Sequence, residues 1–337
     1  MNMQELKQQR GRTVVTGGLG FVGRNMVDHL KSEGHQVVVL DMVDPGLVAL
    51  SDDVLYRQAD LREPKQVEAA LGDADTVFHI AGNSSGSRSV EDPLFDFNTN
   101  AVATANVCAA ACKTGVSRLV YLSSAMVYGR PKSVPMPESH ATKPFLPYGA
   151  SKLSGEHIVH SFHETYGLNT VIGRAFTLYG PGENPKIAGG EVSQYLRWHL
   201  NGQPIHAAGD IDKKTRDFTH VGDLARALEL LSLRGEPGGV YNLGTGIETS
   251  LRTLLTIISG VTGRDVELKE DTSITEDTYR HVADVARVRA LGYEPRMTLT
   301  AGVSLLVDFL GSSPELPTMP TIFKPEQKFL ELAERVS

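Results

Sequence analysis

The sequence predicts an α/β fold, a doubly wound parallel sheet with a smaller C-terminal α/β lobe. Three observations carry that prediction. Short apolar runs alternate with helical patterns through the first half of the chain. A glycine-rich turn, TGGLGFVG (Thr16 to Gly23), joins the first apolar run to the first amphipathic one, as in a Rossmann-type unit. After about residue 177 the alternation gives way to Gly, Pro and charged loops between shorter elements. The expected division is a dinucleotide-binding Rossmann-type domain over 1–176 and a mainly substrate-binding lobe over 177–314, with segments returning to the sheet. Residues 315–337 are read as a tail.

RTVVTG (12–17) reads as a buried strand, and FVGRNMVDHLKSEG as the helix after it, closed by Gly34. HQVVVLD (35–41) and VLYRQADL (54–61) are the next strands, followed by a short helix begun by Pro64. DTVFHIAG (75–82) is a fourth strand. The Ala-rich stretch from Pro93 to Lys113 is one long helix, and SRLVYLSS (117–124) a fifth strand. A helix over 148–166 leads to a sixth strand, NTVIGRAF (169–176). Strands alternating with helices require right-handed crossovers and hence a parallel sheet. DLARALELLSL (223–233) is an amphipathic helix that packs back on the sheet, which VYNLG joins as a late strand.

With 337 residues, 41% of them hydrophobic and 22% charged, the chain can bury one large domain or two lobes sharing a core. Its net charge of -7 excludes a general attraction to nucleic acid or anionic membrane. No apolar run reaches the roughly 18 residues a membrane helix needs. The opening MNMQELKQQR has no apolar core, so no signal peptide is expected. The only cysteines, Cys108 and Cys112, share a helix face without His or Cys neighbours and read as small core residues, so no metal is expected. Together these features point to a cytoplasmic chain.

Gly17, Gly20 and Gly23 follow a strand and open a helix that begins Phe21-Val22. One glycine permits the tight turn, the next lets backbone approach a pyrophosphate, and the third lets helix pack on strand. The helix N-terminus offers free N–H groups to the phosphates. Asp41, at the end of the second strand, can accept hydrogen bonds from both ribose hydroxyls and repel a 2′-phosphate. No Arg or Lys flanks it in LDMVDPG, which selects NAD over NADP. Asp60 and Leu61 are expected near the adenine, and Ala81 and Gly82 of HIAG along the cofactor cleft. Asn98, in FNTN, is read either as a cofactor contact or as a helix cap. His79 is given no catalytic role.

Tyr148 and Lys152, in PYGASKLSGE, lie one helical turn apart on one face. A carbinol oxidised by NAD must lose its O–H proton, and a free tyrosine, with a pKa of roughly 10, is a poor base. A nearby ammonium stabilises the phenolate, which is the work Lys152 is placed to do while it also holds the cofactor ribose. Ser124, at the end of the fifth strand, can hydrogen-bond the same substrate oxygen.

In TGGLGFVG, Asp41, HIAG, SSAMVYG, YGASK, GRAFTLYGPG, TRDF, YNLGTG and VADVARVRALGYEP, taken in that order, the chain resembles the extended short-chain dehydrogenases/reductases, within them the NAD-dependent nucleotide-sugar epimerases and dehydratases. The resemblance covers nearly the whole chain up to about Pro314. It implies a catalytic triad of Ser124, Tyr148 and Lys152, and an Arg216 that meets the substrate diphosphate. Dehydratases of the family carry an Asp-Glu pair directly after the catalytic Ser/Thr, where this chain has Ala125 and Met126. Neither can transfer a proton, which argues for a 4-epimerase.

Thr177 stands where galactose-type epimerases usually have Asn. With Asn184 to Ala188 after it, it is closer to the uronic-acid 4-epimerases, although those tend to have hydroxyls at the positions of Ala125 and Met126. Arg88 is placed like a substrate-facing residue able to meet a carboxylate. A late diphosphate-binding Arg of many relatives is replaced by Ile274, leaving Arg280 as its stand-in. UDP-glucose and UDP-glucuronate are the expected substrates. A homodimer is implied through the Ala-rich helix near 101–112 and the helix carrying Tyr148; burial within one chain explains the same residues. The rival readings are a UDP-sugar decarboxylase or reductase, a hydroxysteroid-type dehydrogenase, which Arg216 disfavours, and a catalytically silent NAD-binding regulator.

Overall fold

A computed structural model describes residues 11–44, 54–187, 190–272, 279–312 and 314–317. Its strands begin with β1 (Arg12–Thr16), β2 (Val37–Asp41), β3 (Leu55–Gln58), β4 (Ala74–His79), β5 (Arg118–Ser124) and β6 (Thr170–Ala175). They continue with β7 (Thr177–Tyr179), β8 (Ile205–Ala208), β9 (Thr215–Arg216), β10 (Phe218–His220) and β11 (Gly239–Leu243). Seven of these form one sheet in the order β11-β6-β5-β4-β1-β2-β3, parallel throughout. The connection direction reverses between β1 and β4, and ligands bind at such a switch point, beyond the carboxyl ends of the strands.

Helices α1 (Phe21–Ser32), α2 (Pro64–Leu71), α3 (Gly86–Glu91), α4 (Pro93–Phe97), α5 (Ala103–Thr114), α6 (Pro147–Tyr166), α7 (Glu191–Leu200) and α8 (Val221–Arg234) follow in chain order. On one face of the sheet Met26 and Leu30 of α1 pack with Leu224, Leu228 and Leu231 of α8. On the other, Val67 and Leu71 of α2, Val107 and Ala111 of α5 and Val159 of α6 cover Val38, Val77 and Leu119. Both faces are dry, which is why the strands read as continuous apolar runs and not as alternations. Each fully buried Val or Leu contributes roughly 1.5–3 kcal/mol, so the two faces, and not hydrogen bonding alone, hold the sheet.

The Ala-rich stretch is not one helix. Between α4 and α5 the backbone widens into a π-helical turn over Asn98–Val102. Such a turn re-aims the side chains it carries and is often found at functional sites. Cys108 is fully buried and neither cysteine is in a disulfide.

The C-terminal lobe has its own core. Tyr179, Tyr195, Leu196 and Trp198 pack there against Leu251, Leu254 and Ile258 of the helix Leu251–Thr262. It remains tied to the main sheet, because β11 pairs with β6 and α8 lies on the sheet. Three further short strands, β12 (Thr249–Ser250), β13 (Leu268–Asp271) and β14 (Arg280–His281), pair within the lobe. Among the described residues no helix is long and apolar enough to cross a membrane.

Candidate active site

The carboxyl ends of β1, β2, β4 and β5 open onto one cavity of about 800 Å³, which continues under the lobe to Arg216, Tyr279 and His281. At its nucleotide end, Gly17 adopts φ +66° and sits against the backbone of Ala81. A Cβ at Gly23 would lie 2.0 Å from the Gly17 carbonyl oxygen, so only glycine lets α1 begin this close to the turn. The Leu19 N–H donates to Asp41 Oδ2 at 3.1 Å, which fixes the strand-end carboxylate across the turn. Phe21, Val22, Asp60, Leu61 and Gly82 line the same end. The Asp60 carboxylate is already engaged by Arg62, whose hydrogen bond holds its pKa below the usual carboxylate range.

His79 lies beneath this end as a core residue. Its Nδ1 and Nε2 meet Thr16 Oγ1 at 2.9 Å and Thr104 Oγ1 at 3.0 Å, and burial depresses its pKa to about 3. The Thr16 hydroxyl oxygen also accepts from the N–H groups of Ile80 and Ala81, which sets the exit of β4 along the cleft.

Ser124, Tyr148 and Lys152 converge midway along the cavity. Ser124 ends β5, and its hydroxyl accepts from the Met126 N–H at 3.2 Å. Burial raises the pKa of Tyr148, while the Ser124 hydroxyl works the other way. Burial lowers Lys152 to about 8, offset by the carboxylates of Glu156 and Asp96. Its ammonium sits 4.6 Å from the Tyr121 ring centroid. Helix α6 is held in place by a buried pair: Arg174 of β6 donates to Glu156 at 2.9 and 2.6 Å, and the Ser123 hydroxyl donates to the same carboxylate at 2.5 Å. Breaking such a pair from one side costs about 3–5 kcal/mol.

At the far end Arg216 is buried, donating from Nε to Glu191 Oε1 at 3.2 Å and stacking over Tyr279 at 4.6 Å. Burial alone would raise the pKa of Glu191, but Arg216 and Lys214 bring it below the usual range. Glu183 shares this end and is driven the other way, to about 8, by burial. His281 packs its ring 5.1 Å from Phe176, and burial holds its pKa near 3. Thr177 and Arg88 also line the cavity, with the Arg88 guanidinium 3.8 Å above the Phe95 ring centroid.

Three expected site residues lie elsewhere. Asn98 is exposed, whereas Asn100 is 1% exposed and hydrogen-bonds Asp96, Asn83 and Ser151. Residues two apart on a helix point to nearly opposite sides, so the polar patch FNTN offers only one inward asparagine. Asn184 is exposed and uses its Oδ1 to accept from the Lys186 N–H at 2.9 Å, closing a local turn. Arg280 is exposed and held by both oxygens of Glu248 at 2.6 Å, outside the cavity lining. Ile274 and Ala188 lie outside the described residues.

A glycine turn pressed onto a helix N-terminus, a strand-end carboxylate and a cavity-facing lysine and tyrosine fit a dinucleotide along its length. They define an enzyme of the short-chain dehydrogenase type. The chain belongs to the NAD dependent epimerase/dehydratase family, whose pattern matches residues 13–244. The UDP-glucose 4-epimerase of Mycolicibacterium smegmatis is 33% identical over 311 residues, 88% of this chain and 98% of that one. The UDP-glucose 4-epimerase of Thermotoga maritima, solved with UDP-glucose, superimposes with a TM-score of 0.83 at 30% identity, over 89% of this chain and 98% of that one. MoeE5, solved with UDP-glucuronic acid and NAD, superimposes with a TM-score of 0.80 at 31% identity over the same shares of the two chains. The cofactor is NAD.

Proposed function

We propose that the chain is an NAD-dependent nucleotide-sugar 4-epimerase that works through a 4-keto intermediate on a UDP-hexose or UDP-hexuronic acid. One observation carries this reading. The residues Ser124, Tyr148 and Lys152 share a cavity with Arg216, while the positions after Ser124 hold Ala125 and Met126. The site can exchange a proton at one sugar oxygen but has no acid–base pair there for eliminating water.

Tyr148 accepts the proton of the sugar hydroxyl, Ser124 hydrogen-bonds the same oxygen, and the Lys152 ammonium stabilises the phenolate. NAD, which the glycine turn, Asp41 and Lys152 would hold, would supply hydride acceptance and return at carbon 4, so that no outside reductant would be consumed. Arg216 anchors the diphosphate, about which the keto sugar turns to expose its other face. Arg88, a cation at the cavity wall, supports the uronate among the two substrate classes.

Proton NMR of the purified protein with UDP-glucuronate, then UDP-glucose, and no added cofactor tests the proposal. Interconversion of the 4-epimers is expected, and the faster substrate identifies the sugar. Release of carbon dioxide from UDP-glucuronate would assign a decarboxylase instead. Turnover only with supplied NADH would assign a reductase, and no turnover under any condition a silent NAD-binding protein.

A further inference from the structure

Behind the catalytic pair lies a carboxylate that the reaction does not touch. Asp96, in α4, is 0% exposed. It accepts from Asn83 Nδ2 at 2.6 Å, from Asn100 Nδ2 at 3.1 Å and from the Ser151 hydroxyl at 2.5 Å. All three donors are neutral. A buried anion held by neutral donors alone is costly unless a cation stands near it. The residue after Ser151 is Lys152, itself 5% exposed. The Ser151 oxygen is also 3.0 Å from the carbonyl oxygen of Tyr148. Through the Ser151 hydroxyl, Asp96 is therefore tied to the backbone turn that carries both catalytic groups, and it places a negative charge behind them.

We infer that Asp96 is a positioning residue that sets the proton affinity of the Tyr148–Lys152 pair through its buried charge, acting from the helix opposite α6. The inference rests on the proton-transfer roles proposed above for that pair. The charged and titratable groups around the pair are few. Glu156 lies on the same helix as Lys152 and is committed to Arg174. His79, on β4, is neutral because burial holds it near 3. Tyr121, on β5, meets Lys152 through its ring, and Ser124 shares the cavity wall with Tyr148 and lowers its pKa. Of the two carboxylates that favour the charged form of Lys152, only Asp96 also raises Tyr148. Its loss should therefore move both groups in one direction, which removal of Glu156 would not do.

The isosteric variant Asp96→Asn isolates the charge. Its amide oxygen can accept from Asn83 and Asn100, and its NH₂ can donate to the Ser151 oxygen, whose proton then turns to the Tyr148 carbonyl. The pattern of hydrogen bonds survives while the anion is gone. Two readouts are taken on the NAD-bound protein. One is the pH profile of kcat. The other is the pH dependence of Lys152 acetylation by acetic anhydride, followed by mass spectrometry, which needs no turnover.

Both limbs of the kcat profile and the Lys152 labelling curve should move to lower pH by about one unit, a tenfold change in each protonation equilibrium. Ser151→Ala, which keeps the charge, should lower kcat without moving either curve. An unchanged labelling curve in Asp96→Asn overturns the inference, whatever happens to activity. If no sugar is turned over at all, the labelling still decides the role of Asp96, so its failure and that of the proposed function remain separate. Asp96→Ser carries the same test should the asparagine variant not fold.

Discussion

The two ends of the cavity are built in different ways. The nucleotide end is made of adjacent backbone. Gly17, Gly20 and Gly23 lie within one strand–turn–helix unit, and Asp41 is tied to it by the Leu19 N–H. The far end, which the proposed function makes the sugar end, is assembled from distant segments, with Glu183 and Glu191 from one loop and helix start, Arg216 from β9, and Tyr279 and His281 from near β14. A site made by local spacing tolerates no change of backbone, whereas one made by side chains from separate elements can be retuned one residue at a time.

The sharpest test of that contrast is Gly23→Ala. The added methyl would lie 2.0 Å from the Gly17 carbonyl oxygen and 2.7 Å from Gly18 Cα, both rigid backbone. Relief requires shifting the helix that faces the phosphates. Loss of bound NAD from the purified variant, measured by nucleotide release on denaturation, is expected along with a stability loss of about 1–3 kcal/mol. Retention of stoichiometric NAD would show that the nucleotide end is as adaptable as the sugar end.

Next in size is Arg216→Lys. The lysine keeps a charge but cannot keep the Nε bond to Glu191 while reaching a diphosphate. The KM for the UDP-sugar should rise about 100-fold, or ~2.8 kcal/mol, with bound NAD unchanged. A matching loss of NAD would mean that the two ends are not independent.

These two cases also mark what could be read from the sequence. The placement of the glycine turn, Asp41 and the Tyr148–Lys152 pair along one cavity was legible because it depends on spacing within one element or one strand–helix unit. The parallel sheet was legible because both its faces are dry. Asn98, expected as a cofactor contact or a helix cap, is exposed: telling which asparagine of FNTN turns inward needs the phase of the helix, and the π-helical turn alters that phase locally. Glu191 and His281 carry no local signal at all. Their place in the site comes from the lobe folding back over the sheet, and a buried histidine ring against Phe176 looks like any other residue in TYRHVADV. Arg280 was expected at the diphosphate from its position in the chain, yet Glu248 is close enough to hold it outside.

A smaller effect concerns the two carboxyls of the sugar end. Glu191 is ionised beside Arg216, while Glu183 is raised from 4.5 to about 8 by burial. The folded state therefore holds a proton on Glu183 that the unfolded chain releases near pH 4.5. The stabilisation is fully present below that pH and is lost as pH rises toward about 8. Glu183→Gln keeps the shape and removes the titration. Urea unfolding at pH 6 and pH 8 should show the parent losing on the order of 1–2 kcal/mol more than the variant over that interval. Equal slopes in the two proteins would mean that the loop before α7 opens enough to hydrate the carboxylate.

The smallest expected effect separates the two substrate classes. Arg88 is exposed, stacks on Phe95 and lines the cavity without an acidic partner among its described contacts. Its ring contact is worth only about 0.5–1 kcal/mol, so Arg88→Ala should fold normally. If its charge meets a sugar carboxylate, the KM for UDP-glucuronate should rise about tenfold, or ~1.4 kcal/mol, while that for UDP-glucose stays within about twofold. A uniform charge effect on the diphosphate would instead raise both by the same factor, because both substrates carry it. Only a group within reach of carbon 6 can tell them apart. The ratio of the two KM changes, and not either one alone, is therefore the quantity that assigns the sugar to this end of the cavity.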